Sequence, residues 1–290
     1  MLAFEGRAVA HLVPALLPLL DGERTVSELT TQLGLEAGPA IEKALELLAR
    51  HDALTEGPAV SAELPRPVRE TAELLAANHR GSSPLAVLRT LTSARVGVAG
   101  EGGRAAEIGR LLRRSGVGGV EPLTAAGTPG AGTTLVVAAP TPAEEAGLRE
   151  LNALAIAADV PWLQVLPFDG VFAAVGPLFV PGESCCHVCY LTRRAANVPY
   201  GDEYRLLSST AAPFPSSPAL DAVVAGLAAT LALRWLSHRD GSLPGILHAL
   251  EYHPTPRLTR HVVHRVPRCE ACSGIAGVSA PLPWSESGTR

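Results

Sequence analysis

The chain has 290 residues, 47% of them hydrophobic and 18% charged, with a formal net charge of −4; this excludes a disordered chain and leaves room for two domains with separate cores. Lys43 is the sole lysine and no basic cluster forms, so neither nucleic acid nor an anionic membrane is an expected partner. The N-terminus lacks a basic segment followed by a cleavage site, and the longest apolar run, residues 222–233, falls short of the roughly 20 residues of a membrane span. A cytoplasmic protein is expected.

In chain order, residues 3–9 read as a strand and 14–20, 26–33 and 39–51 as three helices, the last with Ile41, Ala44, Leu45 and Leu48 at helical spacing. Together they predict a winged-helix-like unit over residues 1–57. It carries nine acidic and four basic side chains, a balance that repels a DNA backbone and suits a peptide better. Residues 58–93 read as a proline-rich linker with a connecting helix at 67–78.

Residues 94–290 alternate strand and helix patterns. A strand at 95–100 meets the glycine cluster Gly100-Glu101-Gly102-Gly103, and a helix carrying Arg104, Arg110, Arg113 and Arg114 follows, with those arginines expected on a solvated face. Strands at 119–124 and 134–139, a helix at 143–158 and a strand at 162–167 come next. Two short strands at 171–175 and 177–180, a long buried helix at 218–237, and an antiparallel pair at 246–253 and 258–266 complete the pattern. The expected fold is α/β with a mixed sheet.

Five cysteines are present, and four form two Cys-x-x-Cys pairs, Cys186/Cys189 and Cys269/Cys272, with 79 residues between the pairs. Four thiolates converging tetrahedrally match a zinc site, and four sulfurs leave no position open for water, so the expected role is structural. Two local disulfides or unrelated buried thiols are the alternatives. Cys185 is left over and reads as a small packed residue. His187, inside the first pair, would be a ligand only by displacing a cysteine.

The glycine cluster stands where a backbone cradles phosphate at a helix N-terminus. A nucleotide site also needs an acidic residue after the second strand, together with cations and a metal-binding carboxylate near the phosphates. Glu121 is the one candidate acid and precedes a proline inside the strand, Lys43 lies in the other domain, and the end of the 134–139 strand carries Ala and Pro. ATP is not expected in this chain.

The order strand, Gly-x-Gly-Gly loop, helix, and then the run GPLFVPGESCCHVCYLTRR with a distal Cys-x-x-Cys resembles the ThiF-like fold of ubiquitin-activating-type adenylating enzymes. More closely it resembles the ThiF-like partner proteins of thiazole/oxazole-modified peptide and thiopeptide biosynthesis. At the front, LLPLLDGERTVSELTTQL with ALELLARHDALTEG resembles a PqqD-like leader-recognition domain. The resemblance implies that the leader of a ribosomal precursor adds as a strand beside residues 3–9, with Phe4, Arg7 and Val9, and packs on Ile41, Leu45 and Leu48 of the third helix. Those helical residues equally suit the three-helix core. The hairpin that usually opens a PqqD-like domain is missing or shortened in this reading, and the nucleotide-holding Asp, Lys and Arg set of adenylating relatives is not recoverable.

The resemblance therefore implies a non-catalytic recruitment protein, which presents a precursor peptide to a separate YcaO-type cyclodehydratase for azoline formation. An ATP-dependent adenylating enzyme acting on a peptide is the alternative. A winged-helix regulator is disfavoured by the acidic N-terminal unit, and a homodimer is left open.

Overall fold

A computed structural model describes residues 9–273 of the chain, apart from 52, 55, 56, 59, 80, 81, 199 and 201–213. Contacts divide the chain into two units, Met1–Thr92 and Ser93–Arg290.

The first unit is helical in its described residues. Helix α1 spans Val9–Leu16 and runs into a 3₁₀ turn at Leu17–Leu19, earlier than the 14–20 expected; Pro14 is accommodated inside the helix. Helix α2, Val26–Leu33, starts on a capping box: the Glu28 amide donates to the Thr25 hydroxyl, and the Thr25 amide donates to the Glu28 carboxylate at 2.7 Å. Helix α3, Gly38–Arg50, opens on Pro39, where a missing N–H costs nothing. Leu16, Leu29 and Ile41 form the core of these three helices. Helices α4, Arg66–Ala77, and α5, Pro84–Ser93, follow. The strand expected over residues 3–9 lies outside the described residues except for Val9, which begins α1.

The second unit is a seven-stranded sheet in the order β2-β1-β3-β4-β5-β6-β7. Its strands are β1 Arg95–Ala99, β2 Gly119–Leu123, β3 Leu135–Ala138, β4 Trp162–Leu166, β5 Phe172–Phe179, β6 Ile246–Glu251 and β7 Arg257–Val262. The first four are parallel, and β5, β6 and β7 join antiparallel. Every residue of β3 and β4 is buried, which is why these segments read as unbroken apolar runs rather than alternating ones.

One sheet face is covered by helix α6, Gly103–Arg114, and by the 21-residue helix that we number α9, Pro218–His238. In α6, Ala105, Ile108, Gly109 and Leu112 fall at the 3–4 spacing of a buried stripe. By length and mean hydropathy α9 would cross a membrane, but ten of its residues, including Trp235, are buried within this unit. Ser217 caps its start, its hydroxyl accepting from the Leu220 amide at 3.1 Å. Helices α7, Leu148–Ala157, and α8, His187–Ala196, contribute to the cluster on the other face together with the cysteines.

Helix α5 falls where the sequence reading has linker beyond its one helix, and two details of the second unit also differ from that reading. The segments expected as separate strands at 171–175 and 177–180 are one strand, β5. Pro177, which has no ladder donor, lies where the pairing register with β4 shifts between Leu163 and Val165, so the strand continues past it. Gly176, at φ 102°, permits this: a Cβ there would stand 2.2 Å from the Ile246 carbonyl oxygen. The helix expected over 143–158 begins instead as a 3₁₀ segment, Pro142–Gly147, before α7.

Candidate metal centre

The first cysteine pair is built on the start of α8. Cys186 is its N-cap in an extended conformation and Cys189 sits one turn in, so that both side chains leave the same side of the helix. The second pair comes from a turn beyond β7, where Arg268 adopts a left-handed φ of 57° and the Cys269 amide donates to Val266 O. Two guanidinium groups fasten this arm: Arg265 donates twice to Ser184 O at 3.1 and 2.7 Å, and Arg193 donates to Arg265 O at 3.0 Å.

The sulfur pairs Cys186–Cys189, Cys186–Cys269 and Cys189–Cys272 are 3.7, 3.6 and 3.6 Å apart, and all four sulfurs lie within 4.8 Å of one another. A tetrahedron with Zn–S arms of about 2.3 Å has edges of about 3.8 Å, so the spacing fits a zinc-sized ion. It is far too wide for disulfides, which need about 2.05 Å. All four residues are buried, and the Val266 amide donates to the Cys189 sulfur at 3.3 Å.

The acid–base balance of the cluster favours a cation. Its hydrogen bond to Cys189 and its burial push the Cys186 thiol up, while burial pushes Cys272 up to about 12. The hydrogen bond from Cys186 and the amides of Val266 and Cys186 draw Cys189 down. Four thiolates gathered in a buried site repel one another, and a divalent ion offsets that repulsion. Cys185, also buried, is pushed up to about 12 by burial and stays a packed thiol.

Sequence reasoning missed a polar network beside the sulfurs. The His187 amide donates to the Asn152 side-chain oxygen at 2.9 Å, His187 Nδ1 lies 2.7 Å from Gln164 Oε1, and Gln164 Nε2 donates to Gly176 O at 3.3 Å. Asn152, Gln164 and His187 are the buried polar residues of the described chain, 1%, 0% and 4% exposed. Burial, aided by the charge of Arg149, lowers His187 to about 4. The imidazole is thus neutral, the Gln164 oxygen beside Nδ1 suits a proton on that nitrogen, and the ring is not part of the four-cysteine group. The one signal in the sequence was a glutamine inside an otherwise apolar strand.

At the carboxyl end of β1, Gly100 has φ 125°, and a Cβ there would stand 2.4 Å from the Ala139 carbonyl oxygen, so glycine is required. The loop's anion-binding capacity is partly used by the chain itself. One oxygen of Glu144 accepts from the Thr141 amide and hydroxyl, both at 2.8 Å, and from the Glu101 amide at 3.4 Å. Burial would raise this carboxyl, but those donors outweigh it and hold it below its ordinary range.

Arg104 departs from the solvated face expected of it. Its side chain is 10% exposed, donates to Pro140 O at 2.9 Å and lies 3.5 Å from Asp221. Arg110 pairs with Glu107, and Arg113 donates to Val120 O at 3.0 Å. Glu121 stands in mid-strand opposite Gly97, short of the carboxyl end of β2. The β2–β3 connection, residues 124–134, contains no helix.

In the first unit, Ile41 and Leu48 are 0% and 7% exposed and belong to the core, whereas Leu45 is half-buried. Phe4 and Arg7 lie outside the described residues.

Fold and site together define an α/β protein with a mixed seven-stranded sheet and four buried cysteines gathered at metal-ligand spacing. No protein-family profile matches the chain, and no curated protein does. Among solved structures, the heterocyclase TruD is similar over 89% of this chain and 37% of its own, at 24% identity and TM-score 0.65. A heterocyclase in complex with substrate and cofactor is similar over 93% of this chain and 35% of its own, at 23% identity and TM-score 0.64. The chain thus spans about a third of the length of these heterocyclases. E. coli MccB with ATP is similar over 86% of both chains, at 14% identity and TM-score 0.64. These likenesses establish the fold.

Proposed function

We propose that this chain binds the leader of a ribosomally made precursor peptide and recruits it to a separate YcaO-type cyclodehydratase that forms azolines. The observation that carries the reading is the TruD likeness: nearly the whole chain follows a heterocyclase over little more than a third of that enzyme. Ring-forming activity then belongs to polypeptide outside these 290 residues, and the gain here is effective concentration, because tethering a leader makes modification of the attached core intramolecular.

In this reading residues 1–57 are a PqqD-like leader-binding unit, residues 58–93 a linker with a connecting helix, and residues 94–290 the ThiF-like docking domain. The leader lies beside residues 3–9, with Phe4, Arg7 and Val9, and meets α3 through half-buried Leu45; Ile41 and Leu48 shape that surface from beneath. Zinc on Cys186, Cys189, Cys269 and Cys272 is structural. Buried free thiols suit the reducing cytoplasm, and a second copy of the chain is an admissible partner.

The likeness to MccB solved with ATP favours one other reading, an adenylating enzyme acting on a peptide. Against it stand the Glu144 carboxylate at the Glu101 amide and the engagement of Arg104 within the protein. Isothermal titration with ATP and magnesium separates the two. The recruitment reading expects no saturable heat in the micromolar range and no pyrophosphate exchange, and micromolar binding with exchange by this protein alone would overturn it.

A further inference from the structure

Strand β7 forms one edge of the sheet, and its outer side has no partner among the described residues. The Val263 amide donates to Gly245 O at 2.8 Å. The alternation of an antiparallel ladder then turns the amides and carbonyls of Arg257, Thr259 and His261 toward β6 and those of Leu258, Arg260 and Val262 outward. Three outward donor–acceptor pairs stand in a run of six residues that pairs with β6 without a bulge.

The side chains of those three residues also share one face. Leu258 and Val262 are 52% and 58% exposed and stand opposite Leu250 and Ile246, so they extend the apolar layer of the sheet. Arg260 lies between them; its guanidinium donates to Ser242 O at 3.0 Å and has no carboxylate partner among the described residues. Proteins guard such edges with charge, proline or bulges. Arg260 is one guard, but it is flanked by two open apolar side chains, a pattern that receives another strand.

The chemistry of the edge selects among strands. A two-fold pairing of β7 with a second copy that engages all three outward amides sets Arg260 directly opposite its own copy, and like charges facing across a ladder destabilise it. An acidic residue at that position is attracted instead.

We propose that β7 is a docking edge for an extended segment of a separate polypeptide, with an acidic side chain beside Arg260 and apolar side chains two positions to either side, beside Leu258 and Val262. This inference does not depend on what the N-terminal unit binds.

The test is fluorescence anisotropy of the full chain with the labelled peptide Thr-Val-Thr-Glu-Thr-Val-Thr and its Lys-for-Glu counterpart. The Glu peptide is expected to bind saturably, and the Lys peptide about fivefold or more weakly, with Arg260→Glu inverting the preference. Val262→Pro removes an outward amide and no bond to β6, so it should weaken the Glu peptide about fivefold where Val262→Ala, which keeps the amide, has the smaller effect. Should Val262→Pro fail to fold, the Arg260→Glu inversion decides alone. No saturable binding of the Glu peptide, or binding indifferent to Arg260→Glu, overturns the proposal. So does sedimentation showing a self-associated chain that Val262→Pro dissociates, because the edge would then belong to a second copy.

Discussion

The sulfurs of Cys186 and Cys269 lie 3.6 Å apart although 83 positions separate them in the chain. One comes from the start of α8 and the other from a turn beyond the edge strand β7, so an ion held between them staples the C-terminal arm to the body of the sheet. Purified protein is expected to contain one zinc per chain. Cys269→Ser or Cys272→Ser should lose the metal and cost at least about 4 kcal/mol in the second unit, in the range seen for loss of a structural metal. Metal analysis with denaturant unfolding checks both, and metal-free protein of unchanged stability would contradict the staple.

The hydrogen bond of His187 to Gln164 at 2.7 Å crosses from α8 to the buried strand β4. Gln164→Leu removes a partner from a buried imidazole and is expected to cost about 1–3 kcal/mol. His187→Leu in the same background should then cost less than it does alone, because the two residues form one network. A urea-unfolding double-mutant cycle reads the coupling, and additive effects would show that the bond contributes little.

His248 on β6 supplies a pH dependence. Burial, together with the charges of Arg260 and Arg234, lowers its pKa below the ordinary imidazole value of 6.5, against an opposing backbone hydrogen bond at Val175. Its folded pKa is below its unfolded one, so the unfolded chain takes up the proton first. The neutral ring's stabilisation is complete above the unfolded pKa and is lost as pH falls from there toward the folded value. His248→Leu should therefore narrow the stability difference between pH 7.5 and pH 5.5; His187, also lowered by burial, accounts for part of what remains. An unchanged difference would show that His248 is not depressed.

The parts of this molecule that depend on local pattern are legible in its sequence. The capped helix after Thr25, the apolar strands β3 and β4, the long helix α9 and the two Cys-x-x-Cys pairs all follow from spacing and residue type. What sequence concealed depends on tertiary surroundings. Helix α5 is an exception, because its start signal, Ser83 before Pro84, stands in the sequence, and the Ser83 hydroxyl accepts from the Ala86 amide at 3.2 Å. β5 runs past Pro177 because the bulge with β4 falls there. Arg104 reads as a surface arginine until the Pro140 carbonyl and Asp221 are placed beside it. Within the candidate site the four sulfurs were legible, but the Asn152–His187–Gln164 network was not, since its members come from three distant segments.

Leader capture by the first unit is tested most directly by fluorescence anisotropy with the labelled leader of a ribosomal precursor peptide taken from a gene cluster that contains a YcaO-type cyclodehydratase. Saturable binding without ATP is expected, falling about tenfold or more in Leu45→Arg, which places a charge on an apolar contact, and lost when residues 1–57 are deleted. Affinity left unchanged by that deletion would contradict it.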